Sequence, residues 1–246
     1  MNVQTRGIIL KQVKMMNDKR MLVIFSERYG KISVTSSGTD SGRGRLKSSL
    51  AYKPFTLGNY DLYKGKDVFR MGRGETVRSF YKIGEDVDKY LEASYILEFT
   101  DRLLPAEEPA PALFGLLSDY FEILERRSKE YAFLTLVYQI KAIQICGYMP
   151  RLNECAVCGK KDGAFMLDIA RGGVICSDCA QDNRLIYKSD SAIINKIRFI
   201  AQKSIKQMEK MYLEQDSLDE LLRFVRNYVK YHLDISNLNS EKLIKG

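Results

Sequence analysis

The chain has 246 residues, 45% of them hydrophobic and 28% charged, enough to bury a full core in two or three domains. No apolar run reaches the length needed to cross a membrane. The formal net charge of +8 is unevenly placed: residues 1–80 hold 16 Lys and Arg against 6 Asp and Glu, a net of +10, which leaves −2 for residues 81–246. Charge segregated to this degree is the footprint of a polyanion-binding domain. No basic amphipathic helix or lipidation signal points to a membrane, so nucleic acid is the expected polyanion.

The first third reads as short strands. Ile8–Leu10 and Met21–Phe25 are apolar runs of strand length, and Ile32 and Val34 alternate with polar neighbours, with Arg28-Tyr29-Gly30 as the intervening turn. Residues 37–47, rich in glycine and serine, predict a basic loop carrying Arg43, Arg45 and Lys47. Further strands are expected over Phe55 to Tyr63, Val68 to Met71 and Val77 to Tyr81. About five such strands suggest a small barrel, and the OB-fold is the barrel most often joined to single-stranded nucleic acid.

From Gly84 the hydrophobic period becomes helical. Val87, Leu91, Tyr95, Phe99 and Leu103 form one stripe, ended by Pro105, Pro109 and Pro111. A second helix shows Leu113, Leu116, Leu117, Tyr120, Phe121 and Leu124, and a third runs through Phe133, Leu136, Val137, Ile140 and Ile143 to Gly147 and Pro150. Beyond the cysteines, Ile194, Ile197, Ala201, Ile205, Met208 and Tyr212 predict a fourth helix. Ser217-x-x-Glu220 reads as a capping box opening a fifth.

Four of the five cysteines form two pairs, Cys155-x-x-Cys158 and Cys176-x-x-Cys179, with seventeen residues between them. That is the spacing of a four-thiolate zinc site, because a two-residue gap lets a tight turn aim two sulfurs at one ion. Disulfides would need an oxidising compartment, and the N-terminus shows no apolar signal segment. A thioredoxin-like pair explains only one Cys-x-x-Cys, and iron is chemically allowed in the same four sulfurs. A shell filled by four thiolates leaves no position for water, so the expected metal is one structural Zn²⁺. Cys146 reads as a buried thiol. The single histidine, His232, shares a helical register with Val225 and Val229 and reads as a packed side chain. No nucleophile–histidine device, phosphate loop or dinucleotide fingerprint surrounds it, so a binder and not an enzyme is expected.

The order of these parts resembles the bacterial DNA repair family RecO over nearly the whole chain. Gly7-Ile8-Ile9-Leu10 and Phe25 through Lys31 are similar to that family's first strands and turn, and Leu50 through Leu57 to the segment after its basic loop. Most specific are Gly147 through Gly159, with Cys155-Ala-Val-Cys158-Gly159, and Gly172-Gly173-Val174-Ile175-Cys176-Ser177-Asp178-Cys179. At Met16 through Arg20 the chain departs from the family, which is usually more acidic there. The resemblance implies an α+β multidomain protein with an N-terminal OB-fold β-barrel, an α-helical bundle and an inserted four-cysteine zinc module. It also implies a cytoplasmic recombination mediator that binds single- and double-stranded DNA, anneals complementary strands, and with RecR helps RecA load on DNA coated by SSB.

The corresponding division is 1–80 for the barrel, 81–150 for a helical domain, 151–183 for the zinc module and 184–246 for helices completing the helical domain. Charge alone nominates Arg20, Lys31, Arg43, Arg45, Lys47 and Lys53 for phosphate contact, with Tyr29, Tyr52 and Phe55 as possible stacking platforms. Docking an acidic, aromatic-ended SSB tail needs an apolar pocket rimmed by cations, for which Arg126, Arg127, Lys129 and Lys141 are candidates. A zinc-ribbon RNA-binding factor fits the composition as an alternative, whereas a closed thiolate shell argues against a zinc enzyme.

Overall fold

The computed structural model describes residues 2–16, 20–36, 50–66, 68–180, 186–187 and 191–244. The loop bearing Arg43, Arg45 and Lys47 lies outside the described residues. Five strands, β1 (Asn2–Lys14), β2 (Arg20–Ser26), β3 (Gly30–Ser36), β4 (Thr56–Lys64) and β5 (Phe69–Ser79), close into a barrel in the order β1-β2-β3-β5-β4. Alternation along each strand drives Val3, Ile9, Leu22, Ile24, Ile32, Val34, Tyr60, Leu62 and Phe69 inward, and these form the barrel core. The long β1 serves both neighbours, since Ile8 lies opposite Phe25 on β2 and Leu57 on β4. Among the described pairs of barrel strands, β3 and β5 are the parallel one, through Val34 with Phe69 and Thr35 with Arg70.

The two short strands expected over Val68 to Met71 and Val77 to Tyr81 are one strand, β5. Gly72 and Gly74 gave its middle the look of a break, yet they serve close packing: a Cβ at Gly72 would stand 2.9 Å from the Tyr63 ring, and one at Gly74 would stand 3.1 Å from the Tyr52 ring.

Two compact units divide the chain, Met1–Arg127 with Leu238–Gly246, and Ser128–Asn237. In the first, α1 (Val87–Leu103) and α2 (Pro111–Arg126) accompany the barrel. Asp86 caps α1 by accepting a hydrogen bond from the Lys89 amide at 3.1 Å. Val87, expected on the buried stripe, is 74% exposed, and the packed face of α1 instead includes Ala93, Tyr95, Ile96, Phe99 and Leu103. Pro111 does not terminate a helix; it occupies the first turn of α2, where its missing N–H has no partner to lose. Aromatic rings knit these helices to the barrel: Phe114 meets Phe25 edge-on with centroids 5.4 Å apart, and Phe121 meets Phe55 at 5.7 Å and Phe80 at 5.6 Å. Phe55, a candidate stacking platform by sequence, is therefore a core residue.

The C-terminal helix α6 (Asn239–Ile244) packs on α1 in this same unit. Its first amides are orphans that Glu98 satisfies, accepting from Asn239 N at 3.0 Å, Ser240 N at 2.9 Å and the Ser240 hydroxyl at 2.6 Å. Partial burial opposes ionisation of Glu98, but these bonds and nearby Arg102 hold its carboxyl below the ordinary value of 4.5. A depressed carboxylate contributes stability above its unfolded value and loses it as pH falls through the folded one. The protection of α6 amides against hydrogen exchange, relative to the intrinsic rate at each pH, should therefore fall on acidification below the ordinary value of 4.5. Glu98→Gln should exchange faster already at neutral pH and respond less to acid.

The second unit holds α3 (Tyr131–Ile145), β6 (Phe165–Asp168), β7 (Gly173–Cys176), β8 (Ile186–Tyr187), α4 (Ser191–Gln202) and α5 (Gln215–Leu233). Helix α3 is buried on nearly all sides, as its run of apolar residues requires, and packs against α4 and α5. It ends at Gly147 with paired bonds, Tyr148 N to Ile143 O and Gly147 N to Gln144 O. The expected fourth helix stops at Gln202; Ile205 and Met208 are buried from a separate 3-10 turn, and Tyr212 is 65% exposed. The capping box does not form, because α5 starts at Gln215 and the Ser217 hydroxyl accepts instead from Lys196 Nζ at 2.6 Å.

Candidate metal centre and nucleic-acid interface

The segment before the first cysteine pair lies alongside β7, which leads into the second. Arg151 N donates to Gly172 O, Val174 N to Arg151 O and Ala156 N to Val174 O, so the two pairs are delivered to one place. Gly173 must lack a side chain there, since a Cβ would stand 2.5 Å from Arg151 O. Each pair then turns alike: Gly159 N donates to Cys155 O at 2.9 Å, and Ala180 N to Cys176 O at 3.0 Å. Gly159 supports the first turn at φ +74°, a conformation that favours glycine.

The four sulfurs of Cys155, Cys158, Cys176 and Cys179 all lie within 4.8 Å of one another, and Cys158 and Cys176 are 3.7 Å apart. A tetrahedron of Zn–S bonds of about 2.3 Å has an edge of about 3.8 Å, which fits; a disulfide needs sulfurs at about 2.05 Å. Burial raises the Cys155 thiol, but amide donors from Cys158, Cys176 and Val157 outweigh it and bring the group down to about 6. Cys179, hydrogen-bonded to Cys158 and Cys176, is pushed up to about 12. Four crowded sulfurs therefore cannot all ionise without a cation among them, and a soft divalent ion supplies that charge. The donor set thus fits a closed metal site. Lys160 stands beside it, bonded to Asp178 at 2.9 Å.

Cys146 takes no part in the cluster. It is half-buried at the end of α3, and burial raises its thiol. His232 Nε2 lies 2.6 Å from Ile169 O, with its ring 4.4 Å from that of Tyr228, a packed position as the helical register predicts.

On the barrel, Arg20 opens β2 and is exposed, between Lys14 on β1 and Ser36 on β3. Lys53 is exposed behind a short 3-10 helix, Leu50–Tyr52. Lys31 differs from the expectation of an open phosphate contact: its ammonium pairs with Asp101 of α1 at 3.4 Å and donates to the Asp101 carbonyl. Register adds cations that charge counting along the sequence did not single out. Thr35 adjoins Arg70, Arg70 adjoins Tyr63, and Lys64 holds its ammonium 5.6 Å from the Phe69 ring centroid. Lys14, Arg20, Lys66 and Arg70 are exposed and none is in an ion pair among the described residues. The signal available in the sequence was Lys64-Gly65-Lys66, a basic turn between two strands. Tyr63, 52% exposed beside Arg70, offers an aromatic face, whereas Tyr29 and Tyr52 pack partly against the barrel core.

The cations nominated for a tail pocket separate. Arg126 and Arg127 belong to the first unit, Lys129 and Lys141 to the second. Lys129 lies 3.9 Å from Glu130, and Lys141, its charge disfavoured by burial, donates to Ala201 O at the end of α4 at 2.6 Å.

Barrel, helices and cysteine cluster together define a protein of α+β build with an OB-like N-terminal domain and a four-cysteine site that could hold a metal. The profile described as Recombination protein O N terminal matches residues 1–80, and Recombination protein O C terminal matches residues 84–242. Proteins named DNA repair protein RecO are similar along their length. That of Caldanaerobacter subterraneus is 25% identical over 95% of this chain and 94% of its own, and that of Alkaliphilus metalliredigens is 24% identical over 100% and 99%. The Listeria monocytogenes protein is 24% identical over 97% and 92%. The chain belongs to the RecO family.

Proposed function

We propose that this chain is a recombination mediator that acts by binding and not by bond chemistry. Its barrel holds single- and double-stranded DNA, it anneals complementary strands, and with RecR it assists RecA in replacing SSB on gapped DNA in the cytoplasm. The observation that carries the reading is a set of exposed cations in no ion pair among the described residues, Lys14, Arg20 and Arg70 on barrel strands and Lys66 in the turn between β4 and β5, beside exposed Tyr63. Phosphates would meet the cations, and bases would stack on the aromatic face. Arg43, Arg45, Lys47 and Lys53 extend the same proposal, while Lys31 is better placed to tie the barrel to α1. Zinc in the four thiolates would stabilise the second unit, with 151–183 as its module. An SSB tail would dock on helical surface near Arg126 and Arg127.

Changing Arg20, Lys64 and Arg70 together to alanine should weaken oligothymidylate binding and lower the salt slope by about 2, at about 0.7 per single-strand phosphate contact. It should also slow annealing of SSB-coated complementary strands. Unchanged affinity and slope would refute the barrel interface. Preference for RNA over DNA would favour the zinc-ribbon RNA-binding reading.

A further inference from the structure

The Tyr63 ring is placed by an irregularity in the sheet. Between β4 and β5 the register runs Asp61 with Arg73 and then Leu62 with Met71, so β5 carries one residue more than its partner and Gly72 is the extra one. That is a β-bulge, a device that bends a strand and re-aims a neighbouring side chain. A Cβ on Gly72 would stand 2.9 Å from Tyr63 Cε2, 3.5 Å from its Cδ2 and 3.0 Å from Asp61 O. The ring therefore lies across the bare backbone of the bulge, covered on that side, while Tyr63 as a whole is 52% exposed.

The surroundings of the ring divide by charge. Pairing sets Tyr63 between Asn2 on β1 and Arg70 on β5, and Arg70 beside Thr35 on β3. Arg70 is exposed and in no ion pair among the described residues. The connection that precedes it carries Lys64 and Lys66 against one acid, Asp67, which lies outside the described residues. Two residues back along β4, on the same face, Asp61 lies between Gln4 and Arg73. There a cavity is lined by Asp61, Glu27 and Glu75 with Arg6, Arg28 and Arg73, and Arg6 lies 3.9 Å from Glu27 and Arg73 2.5 Å from Glu75. Three acids against three cations leave little pull on a phosphate. Tyr63 thus stands where a basic edge meets a polar, neutral one.

A duplex and a single strand make different use of such a ring. Paired bases are stacked within the duplex, which meets a protein through phosphates and groove edges, whereas an unpaired base can lay its face on an aromatic side chain. We propose that Tyr63, held across the β5 bulge by Gly72, is the residue by which the barrel prefers unpaired to paired DNA. One unstacked base takes the open side of the ring, and its phosphate reaches Arg70. Gly72 acts through Tyr63 and is a positioning residue. The inference rests on the mediator reading and deepens it: annealing consumes single strands and leaves a duplex, and a site that weakens once its strand is paired releases the product.

The test measures the affinity of full-length protein for oligothymidylate, for an abasic strand and for a duplex, all of equal length, over a series of salt concentrations. Tyr63→Ala should weaken oligothymidylate binding by about fivefold or more, with the salt slope unchanged because no charge is removed. It should leave duplex affinity within about twofold, and on the abasic strand it should bind as wild type does. Tyr63→Phe keeps the ring and should keep the preference. Gly72→Ala should show the same selective loss alone and no further loss when combined with Tyr63→Ala, which a general weakening of the barrel would not produce. Because the chain contains no tryptophan, Tyr63→Trp supplies a lone reporter whose fluorescence should be quenched by oligothymidylate and not by duplex. Equal losses on single strand and duplex in Tyr63→Ala, or no loss on either, overturn the inference. An unchanged thermal transition shows that each variant is folded, and if Gly72→Ala does not fold, the Tyr63 series decides. The variant with alanine at Arg20, Lys64 and Arg70 keeps the two readings apart. If it loses both DNAs while Tyr63→Ala loses neither, the barrel interface stands and the role of Tyr63 falls; if it binds both unchanged, the barrel reading itself falls.

Discussion

Serine at Cys176 is expected to abolish stoichiometric zinc binding and to loosen the second unit. Cys176 is buried, its amide lies 3.4 Å from Cys155 Sγ, and it packs with Cys155 and Ile175 in one small cluster. A hydroxyl neither ionises at neutral pH nor matches the softness of thiolate, so the site loses a ligand that the other three cannot replace. Structural zinc contributes about 10–16 kcal/mol of apparent binding energy, far more than a domain's net stability, and so its loss should be felt throughout residues 151–180. Metal analysis and hydrogen exchange over that segment check this. Cys146→Ser, outside the cluster, should keep its zinc. Full zinc in the Cys176 variant, or a folded wild type that never acquires zinc, would refute the structural role.

Phe121→Ala should cost about 3–5 kcal/mol, the range for removing a fully buried aromatic ring. Phe121 is 0% exposed and touches Phe55, Phe80 and Tyr120, so the cavity would open where α2 meets the barrel and could not collapse without moving three other rings. Urea unfolding followed by barrel-unit probes measures it. Tyr63→Ala, at an exposed position of the same unit, should change the measured stability by no more than about 0.5 kcal/mol. The pair of variants thus distinguishes a ring that holds the fold from a ring that faces solvent.

The placement of Pro111 shows where local reading runs out. A proline that ends one helix and a proline that opens the next look alike in sequence, because both follow from a missing amide; only the position of α2 decides between them. Ser217 is similar. Its spacing to Glu220 satisfies a capping box, yet Lys196 from α4 takes its hydroxyl, and α5 begins earlier at Gln215. Phe55 and Lys31 show a related effect. An aromatic and a cation on a basic barrel fit a nucleic-acid face until α1 and α2 arrive to bury the ring and pair the ammonium with Asp101.

What the sequence by itself determined are properties repeated at short range. The alternation of β2 and β3, the apolar stripe of α2, the thick apolar run of α3 and the two Cys-x-x-Cys pairs each encode one element or one ligand set in consecutive residues, where backbone period alone sets which side a residue takes. Tertiary structure decided what depends on distant partners. Pairing of β2 with β3 set Arg20 near Ser36, and closure of the barrel through β3 and β5 brought Arg70 beside Thr35, although charge counting could only say that the region is basic. Return of α6 to α1 through Glu98 joined the chain's last helix to its first unit across more than a hundred residues of sequence. Such pairings depend on which buried surfaces and orphan polar groups meet in three dimensions, and no window of sequence carries that information.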